Sequence, residues 1–289
     1  MTEPRPVSFL VDGLTYAGLE WGDPEAQPVL ALHGWLDNAL SFAALAPLLN
    51  STRLVAVDLS GQGLSDHRSA DATYHIWDDV PQLLGVVEQL GAAEIVVMGH
   101  SRGAAIAVLL ASALAERCAG LILLDGMLPV PVAGSAAALQ FRQAMSDRLS
   151  LQTHTKRRFQ DVEDFVAARV KLGFSADSAR ALVPRALRPV TGGYELVHDP
   201  RLNHASAVKL SQEMCAAFYE ALDVRTLAVI AEEGLRARGG AGGGFAVSEH
   251  LPNAEVRRVS GGHHTHLEAG APEVADCVNQ FLAEASHAS

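Results

Sequence analysis

Gly99-His100-Ser101-Arg102-Gly103 is the segment whose residue types most directly suggest chemistry. It follows a short apolar run, residues 95–98, and precedes a run of small residues with a helical pattern. A serine on such a strand-to-helix turn is strained so that its hydroxyl is exposed at the carboxyl edge of a parallel sheet, and the flanking glycines let strand and helix approach closely. The free N–H groups of the helix N-terminus also favour a developing negative charge there. We therefore predict that Ser101 is a nucleophile.

A serine nucleophile needs a general base, for which His263 is the best candidate. It follows two glycines and the apolar run 256–259, late in the chain, where a Ser-acid-His order requires the histidine. His264 and His266 follow it, and a His-His-x-His cluster could bind a metal. However, adjacent side chains on an extended backbone point apart, and no cysteine or carboxylate nearby completes a site. We predict no metal and expect His264 and His266 to pack around the base.

The acid that should orient the histidine has two candidate positions. Asp125 ends the apolar run 121–124, and Glu232 with Glu233 follows the run 227–230. In a parallel sheet both positions lie at the carboxyl edge, near Ser101. The residue pattern alone leaves all three carboxylates open.

An oxyanion hole requires two backbone N–H groups directed at the tetrahedral intermediate. One should belong to Arg102, the residue after the nucleophile, and the other to Trp35, in the loop after the apolar run 29–32. We expect His33 to brace that loop by hydrogen bonds. Asp58, which precedes a glycine-rich turn, is expected to be structural.

Short apolar runs alternate with helical patterns in both the first and the last part of the chain. Continuous runs of this length are typical of a parallel sheet that is covered by helices on both faces. The strand-like runs are residues 7–11, 14–21, 29–32, 54–57, 95–98, 121–124, 227–230 and 256–259, and the helical patterns are 38–49, 76–90, 102–117, 245–251 and 272–285. Asp12-Gly13 predicts a tight hairpin between the first two runs.

The middle of the chain breaks this alternation. Residues 127–225 are mostly helical in pattern, with several prolines, and we predict a helical cap inserted into an α/β core formed by residues 1–126 and 226–289. A glycine-rich stretch, 239–244, lacks the Lys-Ser/Thr of a phosphate-binding loop and is expected to be a surface loop. The basic residues of the cap either solvate its helices or favour anionic substrates: Arg142, Arg148, Lys156, Arg157, Arg158, Arg169 and Lys171.

Composition excludes several classes of function. The 289 residues are 49% hydrophobic and 19% charged, which is typical of a globular enzyme, and the net charge of -11 disfavours nucleic acid and anionic membranes as partners. Three widely spaced cysteines are not expected to form a disulfide framework, and we expect neither a signal peptide nor a membrane-spanning segment. We expect a cytoplasmic protein, a monomer or a homodimer, that binds neither nucleic acid nor membrane.

The motifs together resemble the α/β-hydrolase superfamily, and the first of them resembles the serine hydrolase-like family within the group that includes haloalkane dehalogenases and epoxide hydrolases. The matching segments are His33-Gly34-Trp35-Leu36-Asp37-Asn38, Asp58-Leu59-Ser60-Gly61-Gln62-Gly63-Leu64-Ser65, Gly99-His100-Ser101-Arg102-Gly103 and Gly262-His263 with Glu268. The resemblance implies an eight-stranded, mostly parallel sheet, a cap that shapes the pocket and no cofactor. Dehalogenases and epoxide hydrolases carry aspartate at the nucleophile position, so Ser101 argues against both chemistries.

The same resemblance favours Asp125 as the acid, because serine hydrolase-like proteins typically show Leu-Asp at this strand end. Glu233 and Glu232 remain the alternatives. The expected function is therefore hydrolysis of a carboxylic ester, or a related small acyl substrate, through Ser101, His263 and Asp125. The alternative is a protein of the same fold that binds a ligand and turns over little or none of it.

Overall fold

A computed structural model of the protein describes residues 3–150, 157–235, 251 and 254–285. Within these ranges, eight strands form one sheet in the order β1-β2-β4-β3-β5-β6-β10-β11. Their bounds are β1 (Arg5–Val11), β2 (Leu14–Gly22), β3 (Pro28–Leu32), β4 (Arg53–Val57), β5 (Ile95–His100), β6 (Cys118–Leu124), β10 (Thr226–Glu233) and β11 (Glu255–Gly262). The glycine-rich stretch 239–244, Lys156 and the predicted helix 245–251, except Leu251, lie outside the described residues.

The sheet is mostly parallel, as predicted. Only the pairs β1-β2 and β2-β4 are antiparallel, and every pairing from β4 to β11 is parallel. The hairpin between β1 and β2 turns at Asp12 and Gly13, whose φ angles are 52° and 78°. Two consecutive positive φ angles define the turn that matches the twist of the flanking strands. The predicted α/β-hydrolase architecture is confirmed.

Helices cover both faces of the sheet, as the continuous apolar runs require. The covering helices are α1 (Val80–Leu90) and α2 (Arg102–Leu114) on one face and α8 (Ala271–Ala285) on the other. Leu30 and Leu32 of β3 pack with α1 and α2, whereas Val29 and Ala31 pack with α8. This alternation is the period of two along a strand, and it puts apolar side chains in two separate core layers.

Two predicted helices differ from the structure. The pattern at 38–49 forms two short 3₁₀ turns, Ala39–Phe42 and Ala46–Leu48, because Pro47 lacks the N–H that a continuous helix would need. The pattern at 76–90 becomes helical only at Val80, with Pro81 in the first turn, where a missing N–H costs nothing.

The segment between β6 and β10 carries three short strands as well as helices, which the mostly helical pattern of residues 127–225 did not predict. The strands pair antiparallel in the order β7-β9-β8. The elements are α3 (Ala137–Ser150), β7 (Arg158–Phe159), α4 (Val162–Val170), α5 (Ala176–Ala181), α6 (Val183–Ala186), β8 (Leu187–Val190), β9 (Gly193–Leu196) and α7 (Gln212–Glu220). They have a small apolar core of their own around Phe159, Phe165 and Leu182.

Two buried ion pairs attach this segment to the core. Arg185 of α6 donates to Asp58 Oδ2 at 2.6 and 2.9 Å, and Arg169 of α4 pairs with Asp37. Asp58 also accepts the N–H groups of Ala39 and Leu64, so one carboxylate fixes two core loops and the segment above them. Asp58 is therefore structural, as expected from the sequence.

Candidate active site

The turn at Ser101 connects β5 to α2 in a strained conformation. Ser101 has φ 53° and ψ -117°, a combination that side chains with a Cβ rarely adopt. The turn is possible because Gly99 and Gly103 leave no room for a side chain: a Cβ on Gly103 would lie 2.0 Å from the Leu32 carbonyl oxygen. The Ser101 N–H donates to the Leu124 carbonyl at 3.2 Å, which ties the turn to the end of β6.

The three side chains predicted from sequence to act together are in contact. His263 Nε2 lies 2.9 Å from Ser101 Oγ, and His263 Nδ1 lies 2.6 Å from Asp125 Oδ2. Ser101 follows β5, Asp125 follows β6 and His263 follows β11. Residues separated by 138 and 162 positions therefore meet at the carboxyl edge of one sheet. With Nδ1–H donating to the carboxylate, the Nε2 lone pair is directed at the serine hydroxyl, as a base requires.

Backbone groups hold the Asp125 carboxylate beneath the histidine. Oδ1 accepts the N–H of Ala231 at 3.2 Å, and Oδ2 accepts the N–H of Leu235 at 3.0 Å. Gly234 passes so close that a Cβ there would lie 2.3 Å from Oδ2. The end of β10 and the turn after it therefore supply the donors to Asp125.

Glu232 and Glu233, the alternatives for the acid, have exposed side chains near the end of β10. Among the described residues, neither makes a hydrogen bond or ion pair with His263, which the structure places against Asp125 instead.

The two predicted oxyanion donors lie beside the serine. Trp35 and Arg102 line the same cavity as Ser101, and within the described part of the chain no hydrogen bond uses either backbone N–H. The loop that carries Trp35 is braced by His33, whose Nδ1 donates to the Gly34 carbonyl at 2.8 Å while Nε2 accepts the Leu59 N–H at 3.0 Å. Burial lowers the pKa of His33, which keeps this imidazole neutral for both bonds.

A cluster of buried histidines surrounds His263. His100 Nε2 donates to the His263 carbonyl at 2.8 Å, and His266 Nε2 lies 3.0 Å from Ser41 Oγ. Burial and the neighbouring histidines lower the pKa of His100 well below its usual range, and burial lowers the pKa of His266 to about 3. His264 stacks on Phe174 with ring centroids 3.5 Å apart. His100 and His266 are therefore neutral around neutral pH.

His100, the variable residue before the nucleophile in the Gly-x-Ser-x-Gly motif, has no role that the sequence alone predicts. Ligand nitrogens of His100, His263 and His264 lie within 4.8 Å of one another. Both ring nitrogens of His263 already have hydrogen-bond partners, so a metal ion bound there would have to displace one of these bonds.

Ser101 opens into a cavity of about 450 Å³. Its walls are mainly apolar and come from the turn before α1, the segment after Asp125 and the chain before α7: Ile76, Trp77, Met127, Leu128, Val130 and Leu210. Of the basic residues proposed from sequence as an anion-binding patch, none that the structure describes lines it. Arg169 of that set is buried in its ion pair with Asp37. The cations that do line the cavity are Arg102 and Lys209.

No helix within the described ranges is both long enough and apolar enough to cross a bilayer.

The chain is similar to known hydrolases over most of its length. The family model described as alpha/beta hydrolase fold matches residues 27–270. A serine hydrolase-like protein of Danio rerio is 31% identical over 278 residues, 92% of this chain and 84% of that protein. A serine hydrolase-like protein of Dictyostelium discoideum is 29% identical over 274 residues, 89% and 75% of the two chains. The crystal structure of a hypothetical protein from Pseudomonas aeruginosa PAO1 matches with a TM-score of 0.90 at 38% identity, covering 96% of this chain and 99% of that one.

Proposed function

Because the chain belongs to the α/β hydrolases, and among them to the serine hydrolase-like family, we propose that it cleaves carboxylic esters or related acyl compounds through an acyl-enzyme on Ser101. The observation that carries the proposal is the continuous hydrogen-bond chain from Asp125 through His263 to the Ser101 hydroxyl. Nucleophile, base and acid in this arrangement can perform acyl transfer without a cofactor.

In the first half-reaction, Ser101 Oγ attacks the acyl carbonyl while its proton moves to His263 Nε2. The resulting imidazolium donates through Nδ1 to Asp125, whose negative charge stabilises it. The carbonyl oxygen becomes an oxyanion, for which the backbone N–H groups of Trp35 and Arg102 are the proposed donors. Collapse of this intermediate breaks the ester bond, and His263 Nε2–H protonates the leaving alkoxide.

In the second half-reaction, His263 takes a proton from water, and the hydroxide forms a bond to the acyl carbon. Breakage of the bond to Ser101 Oγ releases the carboxylic acid, and the proton returns from His263 to the serine. Residues 127–225 are proposed to act as the cap, because they contribute the cavity wall from Met127 to Val130 and from Ser206 to Leu210.

A fluorophosphonate probe tests the proposal, since it forms a covalent bond only with an activated serine. We expect wild type to be labelled on the peptide that contains Ser101, by mass spectrometry, and Ser101→Ala to be unlabelled. Ser206→Ala is a matched control, because Ser206 lines the same cavity without contacting His263. A series of 4-nitrophenyl esters of increasing chain length then measures turnover.

Labelling of Ser101→Ala at the wild-type level would contradict the proposal. A folded wild type that neither reacts with the probe nor hydrolyses any ester of the series would also refute it, and would favour the ligand-binding alternative.

A further inference from the structure

The charge of the cavity at Ser101 differs in sign from that of the whole protein. The chain carries 22 basic and 33 acidic residues, yet the charged residues that line the cavity are Arg102, Lys209 and Asp125. Asp125 is engaged by His263 and by two backbone N–H groups. The cavity therefore presents two cations and no unengaged carboxylate among its described residues.

Arg102 lies in the wall of the cavity and forms no ion pair with any residue that the structure describes. One guanidinium nitrogen donates to the Tyr74 carbonyl at 2.7 Å, while Nε is buried and has no hydrogen-bond partner among the described residues. Arg102, Ile76 and Trp77 all line the cavity, so this arginine belongs to the same wall as the segment after Tyr74. A half-buried cation without a counter-ion is costly to maintain, and an anionic ligand would compensate it.

The acids closest to Arg102 are already engaged. Asp79 accepts the Tyr16 hydroxyl at 2.6 Å and the Ser60 N–H at 3.1 Å. Asp78 accepts the Thr73 hydroxyl at 2.6 Å and the His75 N–H at 2.7 Å. Neither carboxylate lies within ion-pair distance of the Arg102 guanidinium, although both contribute to its electrostatic environment.

Lys209 is the second cation of the cavity wall. Its side chain is exposed, and within the described ranges it forms no ion pair. The neighbouring Leu210 is buried, and its carbonyl accepts the Val132 N–H at 3.0 Å, which fixes the backbone beside the lysine. Lys209 is thus free to meet a ligand at the cavity surface.

We propose that the substrate is an ester or thioester that carries a free carboxylate, bound by Arg102 and Lys209, on an otherwise apolar body that fills the cavity. This inference rests on the proposed acyl-transfer function and adds a substrate class to it. The mainly apolar wall accounts for the apolar body, and the two cations account for the charge. A half-ester of a medium-length dicarboxylic acid has this chemistry.

The experiment compares pairs of esters in which a free carboxylate is present or is masked as its methyl ester. The first pair is 4-nitrophenyl hydrogen suberate and 4-nitrophenyl methyl suberate, in which the acyl part is charged or neutral. The second pair is the hexanoate ester of 4-hydroxyphenylacetic acid and of its methyl ester, in which the leaving group is charged or neutral. We expect wild type to prefer the anionic member of at least one pair by about thirtyfold in kcat/KM, and the pair identifies which part of the substrate meets the cations.

Variants assign that preference to the two side chains. Lys209→Met should reduce the anionic-to-neutral ratio about threefold, as expected for a solvent-exposed ion pair, and added salt should reduce it further. Arg102→Met, which keeps the backbone N–H, should reduce the ratio about tenfold or more, as expected for a buried charged hydrogen bond. Lys171→Met is the matched control, because it removes one exposed positive charge that does not line this cavity.

Equal or preferential hydrolysis of the neutral esters, with turnover still dependent on Ser101, would refute the anionic-substrate inference and leave the proposed function intact. A preference that Lys209→Met and Lys171→Met reduce equally would also refute it, because the effect would then come from net charge. Absence of hydrolysis in both pairs, together with absence of probe labelling, would overturn both proposals.

Discussion

Replacement of Asp125 by asparagine tests the acid directly, because the change is nearly isosteric and removes one charge. The carboxylate accepts three hydrogen bonds, from His263 Nδ1 and from the N–H groups of Ala231 and Leu235. An amide has one acceptor oxygen, so in either orientation its NH₂ group faces a backbone N–H. Leaving a buried donor unpaired costs about 1–3 kcal/mol of stability.

The catalytic loss follows from the same two orientations. With the amide oxygen toward His263, the imidazolium that forms during attack loses its anionic partner. With the NH₂ group toward His263, Nδ1 becomes the acceptor and the proton resides on Nε2, so the ring cannot take the proton of Ser101. We expect kcat to fall about 10³-fold to 10⁴-fold, which corresponds to about 4–5.5 kcal/mol of transition-state stabilisation.

The assay is steady-state hydrolysis of a 4-nitrophenyl ester by Asp125→Asn, with Glu232→Gln and Glu233→Gln as matched controls. The melting temperature of each variant reports whether it is folded. The two glutamine variants should keep kcat within about twofold, because exposed side chains away from His263 contribute little. Retention of more than a tenth of kcat by a folded Asp125→Asn, or an equal loss in a glutamine variant, would refute the assignment.

Three further predictions concern the structure around the site. Because burial lowers the pKa of His266 to about 3, below the value of about 6.5 expected in the unfolded chain, the unfolded state binds this proton first as the pH falls. His266 should therefore contribute a loss of about 1.4 kcal/mol in the free energy of unfolding for each pH unit between about pH 6.5 and pH 3. Urea unfolding at a series of pH values should show a weaker pH dependence of this free energy for His266→Gln than for wild type, and an equal dependence would contradict the prediction. Arg185→Met should lower the free energy of unfolding in urea by about 3 kcal/mol, since it leaves Asp58 buried without its ion pair, and a loss below about 1 kcal/mol would show that the pair is unimportant. Gly234→Ala should lower kcat about tenfold to a hundredfold, because misplacement of a catalytic group is costly. The added Cβ would lie 2.3 Å from Asp125 Oδ2, so the carboxylate must move away from its present position. A fully active variant would show that the acid tolerates this movement.

The core of the fold was predictable because its signals are local. Continuous apolar runs require burial on both faces, and the Asp12-Gly13 pair specifies its hairpin through two positive φ angles. The prediction of one continuous helix at 38–49 was wrong, because it rested on the apolar periodicity and ignored Pro47, which has no N–H to donate within a helix. The strands β7 to β9 gave no signal, since each spans at most four residues.

The candidate site was predictable to the extent that each residue has a local marker. Ser101 lies between two glycines on a strand-to-helix turn, and His263 follows two glycines after a late strand. The acid had no such marker, because Asp125, Glu232 and Glu233 all occupy strand ends of the same sheet. The role of His100 beside His263 was also undetectable, since their hydrogen bond joins residues 163 positions apart.

Local sequence features were therefore enough to specify most strands and helices of the core and the residues at the carboxyl edge of the sheet, because turn chemistry and apolar periodicity act over a few residues. Contacts between distant residues settle which carboxylate faces His263, which cations line the cavity and which cations form ion pairs. Arg169 and Arg102 look alike in the chain, yet Arg169 is paired with Asp37, whereas Arg102, in the wall beside Ser101, forms no ion pair with a described residue. Those distinctions depend on distances between residues remote in sequence, and electrostatic partners are chosen by distance and burial.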